Sequence, residues 1–229
     1  NSVCNRMNFA IENPELTYTV NQYQTACGTV DIAMHTMERY FCIGNDTYLT
    51  DSIAEAVIKS VFKAGADAIK NPTDYTARAN MMWASSLAHN DLTHCGRDYQ
   101  LPVHQFEHEV SGMYTNITHA AGLSALWASW ARFVYKDCMD RFLQFARNVW
   151  NLETDFEHPE KTVLKAIEMQ ENYYKSIGMP INLKELGVKY EDLETLAYKC
   201  SFLFIFLLKS YTEIGYPEML EIYKAAYDA

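Results

Sequence analysis

The chain has 229 residues, 49% of them hydrophobic, enough to build a substantial core in one large domain or two small ones. Nineteen Lys and Arg against 29 Asp and Glu leave a net charge of -10 with His neutral. That balance argues against a nucleic-acid backbone or an anionic membrane surface as partner.

In chain order, Asn1 to Arg6 has neither an initiator Met nor the layout of a signal peptide, so the sequence reads as starting mid-protein. Phe9-Ala10-Ile11, Asn13-Pro14 and Thr17-Tyr18-Thr19 form an extended lead-in over residues 1–20. From Tyr23 to Phe41, Ala26, Val30, Ala33, Met37 and Tyr40 recur at helical spacing, and Gly44-Asn45-Asp46 supplies a stop. A second helix is predicted from an Asp51 N-cap to Ala68, before Asn71-Pro72, and a third from Asp74 to about Asn90. Gly96 to Leu101 reads as a loop, and Pro102 suits the first turn of the next helix, which Tyr114-Thr115-Asn116 interrupts.

His119 opens a long apolar stretch, Leu123 to Tyr135, followed by helices at Met139 to Trp150, Pro159 to Ile177, Tyr190 to Tyr211 and Pro217 to Tyr227. Within these, Phe202 to Leu208 is the longest apolar run, far short of the roughly 20 residues that span a bilayer, and reads as a buried helix segment. No strand alternation stands out after Thr19, and no repeat or compositional break divides residues 21–229. The expected fold is therefore all-α, a helical bundle over 21–229 behind a short non-helical lead-in. Six scattered cysteines without a CxxC pair point to a reducing, cytoplasmic compartment.

Chemistry concentrates in two segments. Asp31 and His35 lie four apart on one helix face, and His104 and His108 repeat that spacing, with His119 following. One carboxylate with several imidazoles suits Zn or Fe better than Mg or Ca, which prefer oxygen shells. Ile32, Ala33, Met34 and Met37 leave little solvated surface around Asp31 and His35, and a buried unpaired carboxylate is costly unless something relieves it. His89, His94 and His158 fall near predicted helix ends or loops and read as capping or solvated side chains.

His104-Gln105-Phe106-Glu107-His108 also fits the H-x-x-E-H pattern of inverted zinc peptidases, in which the Glu activates water. A non-catalytic helical interaction domain with satisfied core histidines is the third alternative. There is no G-x-S-x-G, P-loop or G-x-G-x-x-G, hence no recognisable nucleotide-phosphate cradle.

At Asn13 to Thr19, Gly28 to Glu38, Asp74 to Asn80 with Trp83, His104 to Ser111 and Thr118-His119, the sequence resembles the iron-containing alcohol dehydrogenase family, in its butanol dehydrogenase-like branch. Trp130-Ala-Arg132 and Arg141 to Ala146 extend the resemblance, which spans roughly residues 9 to 200. It implies a two-domain, cytoplasmic, homodimeric enzyme that moves hydride between a short-chain alcohol or aldehyde and NAD(P). This chain resembles the C-terminal helical metal-binding domain, with NAD(P) held by an N-terminal domain not contained in the sequence and with the isolated chain poorly active. Carried over by position, Asp31, His35, His104 and His119 match the ligands of a divalent metal, Fe2+ first and Zn2+ or Ni2+ as further candidates. His108 matches a non-ligand His near nicotinamide and substrate, placed to relay a proton. Three departures stand out: one extra residue near Thr115-Asn116, which must bulge to keep His119 in the set, Ala120 in place of Gly, and Asn21 in place of Pro.

Overall fold

A computed structural model describes residues 7–42, 47–98 and 100–229. After a 3-10 turn at Pro14–Thr17, nine helices follow among these residues: α1 (Gln22–Tyr40), α2 (Tyr48–Lys70), α3 (Tyr75–His89), α4 (Pro102–Met113), α5 (His119–Val134), α6 (Met139–Trp150), α7 (Pro159–Ser176), α8 (Leu193–Cys200) and α9 (Tyr216–Asp228). Asn21, which stands where Pro was expected, N-caps α1 by accepting from the Gln24 amide at 2.8 Å. Asp74 caps α3 in the same way through the Ala77 amide at 2.9 Å. The predicted stop at Gly44-Asn45-Asp46 lies outside the described residues.

Helix α5 is the axis of the bundle. Of its 16 residues 13 are buried, so it must be covered on every side, and α1, α4, α7 and α9 do this. On α5, Trp127 meets Phe145 and Trp130 meets Phe142 of α6; Trp130 also meets Phe41, just past the end of α1, and Tyr40 packs on Phe145, while Phe41 stacks on Phe142 with ring centroids 4.4 Å apart. Burying each such ring stabilises the fold by roughly 1.5–3 kcal/mol. On the opposite flank α1 packs against α2 so tightly that a Cβ on Gly65 would stand 2.3 Å from Thr29 Oγ1.

Two expectations fail. Asp51 does not cap α2, which begins at Tyr48; its buried carboxylate instead pairs with Arg97 and with Arg141, the latter at 2.6 Å. The helix expected over Tyr190 to Tyr211 is a 3-10 turn, Tyr190–Asp192, then α8, which stops at Cys200. The Leu203 amide donates to the Tyr198 carbonyl at 3.1 Å and the Phe202 amide to that of Lys199 at 2.9 Å, the paired bonds of a Schellman stop. Phe202, Leu203 and Phe204 take φ of 45°, 63° and 70°, left-handed values that cost a residue with a Cβ about 1–2 kcal/mol.

Phe202 to Leu208 is thus neither helical nor buried: only Leu208 is enclosed, and Ile205 is 85% exposed. A continuous apolar run has no period, so it could not distinguish a helix from this turn. It leads into a hairpin of β1 (Leu208–Lys209) and β2 (Glu213–Ile214), antiparallel with Leu208 opposite Ile214, the strand pair that the sequence did not signal. The domain is otherwise all-α as expected, and among the described residues no helix is long and apolar enough to cross a membrane.

Candidate metal centre

Helices α1, α4 and α5 meet at one cluster. Asp31 and His35 come from the middle of α1, His104 and His108 from the first two turns of α4, and His119 is the first residue of α5. The segment 114–118 turns the chain between the last two helices: the Ile117 amide donates to the Tyr114 carbonyl at 2.9 Å. Despite the extra residue in this segment, His119 swings back to the cluster.

The pivot is Oδ1 of Asp31. Nε2 of His35, His104 and His119 lies 3.7, 3.5 and 3.6 Å from it. Donor atoms about 2.1 Å from a common tetrahedral ion stand about 3.4 Å apart, so each of the three imidazoles stands at close to ligand spacing from Asp31. Asp31 Oδ1 and His104 Nε2 are buried with no hydrogen-bond partner, a costly state that a cation between them would relieve. The donor atoms of Asp31, His35 and His104 all fall within 4.8 Å of one another, and His119 joins them through Asp31. The residues present therefore fit a divalent ion.

Electrostatics sharpen the picture. Burial, followed by the His104 charge, pushes His35 down to about 3. Burial works against protonating His104, but Asp31 and Glu38 outweigh it and lift that ring to about 9. Burial likewise opposes ionising Asp31, yet the nearby His104, with the His35 and His119 imidazoles, holds its carboxyl below the usual range. His108 lies on the open side of the cluster, its ring stacked 5.5 Å from that of His119 and 6.2 Å from that of His104. Partial desolvation and the neighbouring rings lower its pKa, so it is neutral at pH 7 and able to accept a proton.

Behind the imidazoles stand two carboxylates with fully buried side chains. Nδ1 of His104 meets Glu38 Oε2, and Nδ1 of His119 meets Glu107 Oε2. A carboxylate only accepts, so each ring donates backward from Nδ1, and in its neutral form it offers the Nε2 lone pair towards Asp31. Glu38 Oε1 also accepts from the amides of Val103 at 2.5 Å and His104 at 3.2 Å, capping α4 in place of Leu101, whose side chain makes no cap. Glu38 had a sequence signal: Asp31, His35 and Glu38 follow i, i+4, i+7 along one stripe of α1.

His35 has Arg39 behind it instead; the guanidinium donates to the His35 carbonyl at 2.7 Å and lies 3.3 Å from its Nδ1 and 3.0 Å from Nδ1 of His89. His89 is exposed in the last turn of α3, as its reading as a solvated or capping side chain expected, and it also neighbours the cluster, 4.6 Å from the His35 ring. Its place at the end of α3 gives no sequence signal, because only helix packing brings it there.

The alternatives fare differently. A water-activating role for Glu107 needs its carboxylate free, whereas it is enclosed and engaged with His119. A core of satisfied histidines is at odds with the unpartnered Nε2 of His104.

Fold and cluster together define an all-helical domain built around a convergent carboxylate and imidazole set. Residues 25–227 match the Fe-containing alcohol dehydrogenase family, C-terminal, and the chain belongs to that family. Among its relatives, NADH-dependent butanol dehydrogenase A of Clostridium acetobutylicum is 37% identical over 97% of this chain and 57% of its own length. The NADPH-dependent aldehyde reductase YqhD of Escherichia coli is 29% identical over 83% of this chain and 49% of its own. Solved structures of the E. coli aldehyde reductase and of a Thermotoga maritima NADH-dependent butanol dehydrogenase A superpose with TM-scores of 0.88 and 0.87, at 28% and 30% identity. Each match covers 93% of this chain and 55% of that structure. The chain spans about half the length of the curated relatives it matches.

Proposed function

We propose that this chain is the metal-binding half of an NAD(P)-linked alcohol dehydrogenase or aldehyde reductase acting on short-chain substrates. The observation that carries the reading is the approach of three Nε2 atoms to within 3.7 Å of one unpartnered aspartate oxygen, in a chain of the Fe-containing alcohol dehydrogenase family. Asp31, His35, His104 and His119 would hold a divalent ion; the donor set admits Fe2+, Zn2+ or Ni2+, and the family description favours Fe2+. When bound, the ion supplies Lewis acidity to the substrate oxygen.

The chain's own residues do the rest. Glu38 and Glu107 keep the His104 and His119 rings in the tautomer that offers Nε2. His108, exposed and neutral, takes up or returns a proton at a ring nitrogen on the open side of the cluster.

In this reading residues 21–229 form the helical domain and residues 1–20 lead in from a nucleotide-binding domain that supplies NAD(P). Relatives described as NADH-dependent and NADPH-dependent support the nicotinamide and leave the choice of cofactor to that domain. The homodimer implied by the resemblance belongs to the same proposal. So does the cytoplasmic setting, which the five free cysteines among the described residues support.

The test uses the full-length protein, assayed for divalent metal content and for NADH- and NADPH-dependent reduction of butyraldehyde. The expected result is about one ion per chain and turnover, both abolished in Asp31→Ala. A metal-free protein with undiminished turnover would refute the reading.

A further inference from the structure

Gly122 is matched to Glu107 in a way that the contact of Glu107 with His119 does not by itself explain. The Glu107 side chain is fully enclosed between α4 and α5, with Oε2 on Nδ1 of His119. Unlike Glu38, which satisfies two backbone amides with its second oxygen, Glu107 leaves Oε1 without a hydrogen-bond partner. Hydrogen bonds therefore hold only one end of this carboxylate, and something else must fix the other.

That something is a notch in α5. A Cβ built on Gly122 would stand 2.6 Å from Glu107 Cγ and 2.8 Å from Oε1. Glycine in mid-helix costs about 0.5–1 kcal/mol relative to alanine, so this residue needs a packing reason. The notch lies one helical turn from His119 on the same helix and so faces the same neighbour. Seated there, the Glu107 carboxylate turns Oε2 to Nδ1 at the back of the His119 ring.

We infer that Glu107, seated in the Gly122 notch, is the positioning residue that fixes the ring orientation and tautomer of His119. The inference rests on the reading that His119 holds a metal. It makes the two carboxylates unequal. Glu38 needs both oxygens as acceptors, whereas Glu107 needs only one, so glutamine can replace Glu107 with its amide oxygen on Nδ1–H and its amino group towards the notch.

The test is Co2+ binding by the full-length protein, followed by competition titration and by the visible absorption of the bound ion, alongside melting of the chelated protein. Glu107→Ala is expected to lower Co2+ affinity about 10–100-fold, and Glu107→Gln to restore most of it. Gly122→Ala, which touches neither the ion nor the His119 ring, is expected to lower affinity comparably, and to add nothing in a Glu107→Ala background, where the crowded atoms are gone. A purely structural role would shift the melting of the chelated variants and leave their Co2+ affinity and spectrum unchanged, which would overturn the inference. Should Gly122→Ala not fold, the comparison of Glu107→Ala with Glu107→Gln decides. His119→Ala separates the two levels: its Co2+ affinity matching wild type would sink the metal reading itself. Weakened binding in His119→Ala with none in Glu107→Ala would sink only the role of Glu107.

Discussion

Glu38→Gln and Glu38→Ala should separate two roles that one side chain performs. The carboxylate is fully enclosed, so solvent screening does not discount its interactions. Through Oε1 it caps the first turn of α4, and a lost cap costs about 0.5–2 kcal/mol. Through Oε2 it meets Nδ1 of His104, a hydrogen bond to a charged group worth about 1.5–3 kcal/mol. Alanine forfeits both, so the chelated protein should lose about 2–5 kcal/mol in a denaturant titration.

Glutamine has one acceptor where two are needed. With its oxygen on the α4 amides, its amino group confronts Nδ1–H, and the ring escapes by moving that proton to Nε2, the atom a metal requires bare. Leaving one donor unsatisfied costs about 1–3 kcal/mol, so Co2+ affinity should fall roughly 5- to 150-fold. Stability should drop less than in Glu38→Ala. If Glu38→Gln bound Co2+ as tightly as wild type, or Glu38→Ala unfolded at the wild-type midpoint, this account of the carboxylate would be wrong.

Three further predictions are simpler. His108→Phe should keep the metal content of wild type and lose turnover by about 10²–10⁴-fold, the contribution expected of a proton-handling group; metal analysis with an aldehyde-reduction assay checks both. Supplying Zn2+ or Co2+ at about 100 times its dissociation constant should stabilise the folded protein by about 2.7 kcal/mol. For a domain of this size that raises the melting temperature by roughly 5–10 °C, a rise that Asp31→Ala should abolish in calorimetry. Gly65→Ala should cost about 1–3 kcal/mol in equilibrium unfolding, because the added methyl meets Thr29 across the contact of α1 with α2.

Local periodicity made most of the helices legible. Apolar residues at three-to-four spacing, Pro102 in a first turn and the Asp74 cap are decided by nearest neighbours, so they can be read without the tertiary fold, whereas Asp51 is drawn from its expected cap by Arg97 and Arg141. The stop at Cys200 was not legible, since the run from Phe202 onward is apolar on every face and its left-handed turn uses Phe and Leu where a glycine would have announced it. For the cluster, spacing on α1 and α4 placed Asp31 beside His35 and His104 beside His108. His119, 15 residues from His104, depends on how segment 114–118 turns, and the ligand role proposed for it rests on the resemblance and on its approach to Asp31.

What the sequence determined by itself was the chemistry available: one carboxylate and a set of imidazoles on helices, in an acidic, helix-rich chain of a recognisable family. What only the tertiary structure decided was direction. Which nitrogen of each ring faces Asp31 depends on the group behind it; Arg39 stands behind His35 one turn along the same helix, but Glu38 and Glu107 take their places behind His104 and His119 only once α1, α4 and α5 are packed. The same packing brings His89 from the end of α3 to His35 and opens the notch at Gly122. These relations join residues 12 to 66 positions apart, and no local pattern encodes them, because they are set by which helix faces are pressed together.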